Sequence, residues 1–116
     1  MINQRIVEII EDLGIPCYYR HAPLILDDYY CIFSIYQEKD ESCYDNFNRK
    51  TKYYIMINFW CKEPMYLSKY QEIKNKLRSL KKECKIRQIN DLEDSSEGFY
   101  GKSFNVEFIE WNWEQE

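Results

Sequence analysis

The stretch TKYYIMINFWC, from Thr51 to Cys61, constrains this chain more than any other. Read as a strand, it sets Tyr53, Ile55, Ile57 and Phe59 on one side and Tyr54, Met56 and Trp60 on the other. Both sides are largely apolar. Such a strand belongs in the middle of a sheet, with a helical layer on one face and a second cover on the other, which another subunit could supply.

The flanking segments fit that sheet. Ile2, Ile6, Ile9, Ile10 and Leu13 recur at helical spacing, Gly14 stands where a glycine closes a helix, and Pro16 stops it restarting. The run IPCYY is then a short first strand, expected at an edge because Pro16 has no amide hydrogen to donate. Residues 20–28 should be a loop, with Leu24, Ile25 and Leu26 oddly apolar for one. Tyr29 to Tyr36 reads as a strand, with Tyr29, Cys31, Phe33 and Ile35 on one face. The polar, turn-rich QEKDESCYDNFNRK follows as a long connection, of the kind that tends to carry function.

After Pro64 a second helix is expected, with Leu67, Tyr70, Ile73, Leu77 and Leu80 as its apolar stripe. Lys74, Lys76, Arg78, Lys81 and Lys82 crowd the rest, and the macrodipole explains cations near a helix C-terminus. CKIRQINDLE alternates as a strand, with Cys84, Ile86 and Gln88 facing one way and Lys85, Arg87 and Ile89 the other. EDSSEG is an acidic turn, and YGKSFNVEFIEW a last strand with Phe104, Val106 and Phe108 on one face and Ser103, Asn105 and Glu107 on the other. Trp111, Trp113 and an acidic tail close the chain. The expected fold is α+β: a mainly antiparallel sheet of about four to five strands with two helices packed on one face. A chain of 116 residues fits one domain over residues 1–116.

Composition narrows the function classes. A formal net charge of -4 argues against a dedicated nucleic-acid binder, which needs a basic face; Lys74 to Lys85 is the one local exception. Aromatic residues make up 17%, an excess that suits strands and contact surfaces. The 5 cysteines, at positions 17, 31, 43, 61 and 84, form no CxxC pair, and no signal peptide is recognisable. Free structural thiols in a reducing cytoplasm, and a soluble protein without a membrane span, are expected.

No catalytic, cofactor-binding or metal-binding residues are expected. His21 is the only histidine, and Cys17, four residues before it, lacks a third group to complete a nucleophilic site. Zinc would need closely spaced ligand pairs, which are absent. Asp27 and Asp28 point apart in an extended chain, and the acids from Glu93 to Glu97 sit in a turn. Three glycines, at 14, 98 and 101, cannot make a phosphate loop.

The order of elements, together with Leu13-Gly14-Ile15-Pro16, Tyr18, Tyr19, Ala22 and Pro23, resembles the phage tail-completion family, also called head-tail joining or tail-terminator proteins of siphophages and prophages. The resemblance extends through YYIMINFWCKEP, the Lys-rich helix and the closing GFYGKSFNVEFIEW. One departure is Asp27-Asp28, where the family often has a proline before the second strand. The resemblance implies a structural assembly protein, not an enzyme. Such a subunit caps the tail tube as a ring, often of six, and offers the surface to which the head attaches. Its partners would be copies of itself, the tail tube protein and a head-completion or neck protein. DNA would pass through without specific binding. It would act in the host bacterial cytoplasm during assembly and reside in the virion tail or neck. Residues 20–28 and 38–50 are the expected contact loops, and residues 38–50 and 93–98 would order on assembly. Two other classes stay open on the residues alone: a small module binding a protein through a sheet edge, and a metal-dependent enzyme.

Overall fold

The computed structural model describes residues 2–21, 28–42, 48–94 and 99–113. Helix α1 (Ile2–Glu11) leads into the short strand β1 (Cys17–Tyr19), then β2 (Tyr29–Ser42) and β3 (Asn48–Cys61). A 3-10 turn (Pro64–Lys69) runs into α2 (Tyr70–Ser79), followed by β4 (Cys84–Asp94) and β5 (Phe99–Trp113). The five strands form one sheet in the order β1-β2-β3-β5-β4. All neighbours are antiparallel except β1 and β2, which are parallel. This is the expected α+β arrangement.

Alternation decides the layers. On one face of the sheet stand Cys31 and Phe33 of β2, Tyr53, Ile55, Ile57 and Phe59 of β3, and Phe104, Val106 and Phe108 of β5, all buried. Ile6, Ile9 and Ile10 of α1 and Ile73 and Leu77 of α2 pack against them, so both helices cover the same face. The helix α1 ends as its residues require: the Gly14 amide donates to the Glu11 carbonyl at 2.9 Å, and Gly14 takes φ 78°, where a side chain would be strained. β1 lies at the sheet edge, where the Pro16 carbonyl accepts from the Cys31 amide at 2.8 Å. Arg5 of α1 reaches Glu83 after α2 through two hydrogen bonds, of 2.5 and 3.3 Å, and so ties the two helical segments together.

Several boundaries differ from the sequence reading. β2 does not stop at Tyr36. A bulge between Ile35 and Gln37 lets it run on to Ser42, paired with β3 from Arg49, so strand replaces most of the expected loop. Cross-strand pairing supplies what composition lacks there: Thr51 Oγ1 donates to Asp40 Oδ1 at 2.9 Å. A second bulge, between Ile86 and Gln88, corrects the faces assigned to β4. Ile89 pairs with Phe104 on the helix side, and Gln88 pairs with Asn105 on the other. The second helix begins with a 3-10 turn and ends at Ser79, short of Lys82. The expectations placed on Leu24 to Leu26, Cys43, the turn at 95–98 and the acidic tail lie outside the described residues.

Candidate interaction surfaces

The isolated chain leaves three surfaces that the fold does not itself explain. The first is the face of the sheet away from the helices. There β2 contributes Tyr30 and Ile32, β3 contributes Met56, Asn58 and Trp60, and β5 contributes Gly101 and Ser103. Tyr30 and Ser103 are buried and Ile32, Met56, Asn58 and Trp60 half-buried, yet no described helix lies over them. The Tyr18 and Tyr30 rings sit 6.4 Å apart at one side of the patch. At its centre the Asn58 side-chain oxygen is shielded from solvent without a hydrogen-bond partner, a costly state for an amide carbonyl.

The second is the outer edge of β4. Eleven residues long and last in the sheet order, this strand has no described strand beyond it. A groove of about 530 Å³ runs between it and α2, lined by Lys74, Arg78 and Lys81 from the helical side and Arg87 and Gln88 from the strand. The helical cations thus do more than face the macrodipole, since the fold sets them opposite Arg87. A second groove of about 430 Å³ lies round the strand's start and adds Lys50, Lys52 and Lys85.

The third is a blade. Past the beginning of β4 at Cys84, opposite Phe108, strands β2, β3 and β5 continue as a three-stranded extension. Charged positions alternate with the pleat on its two faces, and the register sets both signs on each, with Glu41 across from Lys50 on one and Arg49 across from Ser42 on the other. Glu38, Asp40 and Glu110 share the face of Tyr53 and Thr51. Tyr53 Oη donates to Glu110 Oε1 at 3.2 Å. Burial first, then Glu110 and the charges of Glu38 and Asp40, push the Tyr53 phenol up to about 12. On the opposite face Lys39 is directly across from Lys52, and Lys85 lies beside Glu107. Arg87 donates to Glu107 at 2.8 Å and stacks 5.8 Å from the Tyr54 ring. Sequence reading missed this pattern. The signal was present in Glu38-Lys39-Asp40 and Lys50-Thr51-Lys52, but only as strand does alternation sort those charges onto faces.

Within the described residues the groups considered for catalysis are dispersed. Cys17, Cys31, Cys61 and Cys84 are free and buried. Burial pushes the Cys17 and Cys84 thiols up to about 12 and Cys31 well above its ordinary value, which keeps them as unreactive thiols. His21 is exposed, just past β1. Among the described residues no three His, Cys, Asp or Glu side chains gather as a metal-binding group would. No helix among the described residues is long and apolar enough to cross a membrane. Among known proteins, no family model matches the chain and no curated protein matches its sequence.

Proposed function

We propose that this chain is a phage tail-completion subunit: a structural protein that caps the tail tube as a ring of its own copies and presents the surface on which the head is joined. The observation that carries the reading is the second face of the sheet, largely apolar on its central strand and without a described helix over it. A central strand apolar on both sides, with the described helices over one side only, suits one layer of a larger assembly. The tail tube protein and a neck protein are the partners beyond the ring. DNA passes through without specific binding, in keeping with a net charge of -4. The protein gathers in the host cytoplasm during assembly and ends in the virion tail or neck.

The test is genetic. Deleting the gene from its phage should leave DNA-filled heads and separate, overlong tails under the electron microscope. Normally joined particles from the deletion strain would overturn the reading.

A second reading is favoured by one observation, the open 11-residue edge of β4 with its basic groove. A small module could take an extended acidic peptide there by adding a strand to the sheet. A protein that stays monomeric at all concentrations, and whose β4 amides alone shift on adding such a peptide, would favour this reading over the first.

A further inference from the structure

We propose that the open edge of β4 is a self-pairing strand: two copies of this chain join antiparallel along it, about a two-fold axis near Ile89, into one continuous sheet. This goes beyond the tail reading, and it gives the edge to a second copy rather than to a foreign peptide.

Charge is ordered along the strand. β4 carries Lys85 and Arg87 in its first half and Asp91, Glu93 and Asp94 in its second, with Gln88, Ile89 and Asn90 between. Laid antiparallel on a copy of itself, the basic half meets the acidic half at both ends, and the middle residue, Ile89, meets its counterpart. Parallel pairing would set like charge on like, which opposes it.

The helical layer strengthens the basic half. Ile89 pairs with Phe104 and Asp91 with Lys102, so Ile89 and Asp91 stand on the face that the helices cover, and Glu93, across from Tyr100, is the next position on it. The groove of about 530 Å³ between α2 and β4 borders only the stretch from Cys84 to Ile89. A copy paired about Ile89 lays the far half of its strand, with Asp91 and Glu93, along that groove beside Lys74, Arg78 and Lys81. Among the described residues no carboxylate engages these three cations or Lys85. Arg87 and Asp91 do have partners on β5, Glu107 and Lys102, yet their side chains keep 51% and 76% exposure and have room for a second.

The same order of charge selects the occupant. An acidic peptide would answer the groove and be repelled by the acidic half of the strand; a copy of this chain answers both. The bulge between Ile86 and Gln88 and the cations around it guard the edge against neutral and basic strands, and admit an acidic one. Pairing also satisfies the outward row of amides and carbonyls of an 11-residue strand, and brings the half-buried Ile86, Ile89 and Leu92 to the seam. The contact is isologous, so it closes at two copies. A ring of copies needs surfaces other than this edge.

The experiment is light scattering on the purified chain from about 10 µM to about 500 µM, in about 50 mM and about 500 mM salt, with amide hydrogen exchange read on the same samples. The mass should rise from one chain to two, the β4 amides should exchange more slowly as it does, and high salt should weaken the pairing severalfold. Two reversal variants follow, Arg78→Glu with Lys81→Glu and Lys85→Glu, and Asp91→Lys with Glu93→Lys. Each alone should stay single, because its edge then carries mainly one sign. Mixing them in equal amounts should restore the pair. The milder Lys85→Gln and Asp91→Asn keep the test open if a reversal fails to fold, and each should weaken pairing by about threefold or more, since each change falls at both ends of the seam.

A chain that stays single throughout, folded reversals that pair unmixed or fail to recombine, or a larger assembly whose β4 amides exchange as freely as in the single chain would each overturn the pairing. So would a single chain whose β4 amides are protected only by an added glutamate-rich decapeptide, the result that gives the edge to a foreign strand. The two proposals fail separately. A larger assembly with unprotected β4 amides sinks the pairing and leaves the tail reading standing; normally joined deletion particles sink the tail reading and leave the pairing.

Discussion

A Cβ added at Gly101 would come within 2.8 Å of the Phe59 carbonyl oxygen and of Trp60 Cε3, and 3.1 Å from Leu92 Cβ. Only the Trp60 ring can turn away, since the Leu92 Cβ is fixed by its own backbone and the carbonyl belongs to the central strand. Gly101→Ala should therefore destabilise the fold by about 1–3 kcal/mol, read as a lower denaturant midpoint at unchanged slope. Tyr53 makes the case for pH. Its phenol is raised from 10.0 to about 12 in the fold, so the protonated form is favoured there. That contribution is whole below pH 10 and is lost as pH rises through 12, a swing on the order of 2 kcal/mol. Tyr53→Phe should lower stability at pH 7 by about 1 kcal/mol, through the lost bond to Glu110, while flattening the fall between pH 10 and 12. Alkaline unfolding of the two proteins side by side measures it. Cys17 and Cys84, raised likewise, add the same background loss to both.

Among the elements, α2 is held by a few side chains. Ile73 and Leu77 are buried against the sheet, while Lys74, Arg78 and Ser79 face outward or line the groove. Leu77→Ala should cost about 2–5 kcal/mol. Arg5→Met should cost at most about 1 kcal/mol, since Arg5 and Glu83 keep 42% and 31% exposure and salt screens them. Urea titrations of both variants, with 0.5 M salt as a second condition, check that order. The elements themselves differ in how legible they were. α1 was readable because its isoleucines, Gly14 and Pro16 all mark one helix and one stop. β3 was readable because both its faces are apolar. The outer part of β2 was not, because Gln37 to Ser42 is polar by composition and becomes strand only through pairing with Arg49 to Tyr54. β4 was misread by one step after Ile86, since a bulge leaves no trace in hydrophobic period.

At the scale of the whole molecule, the fold class followed from the sequence while the surfaces did not. Which faces carry cover depends on contacts between segments far apart in the chain. Lys50, Lys52, Lys85 and Arg87 gather around one groove from two strands that never touch, with β5 between them. The same extension gives the molecule its length, 52 × 26 × 23 Å, with a radius of gyration of 15.6 Å where a compact chain of this size has about 13 Å.

The place of β5 has a further consequence, for synthesis. This strand leaves the ribosome after every other, yet it goes between β3 and β4. Until it arrives, the nascent chain holds the three strands β1-β2-β3 and a lone β4, each with an unsatisfied row of amides and carbonyls, and neither able to pair with the other in the native order. The final fold is therefore reached only after β5 has been made, and crowding of many chains on one messenger before then is the moment at which this protein is most exposed to pairing with the wrong neighbour.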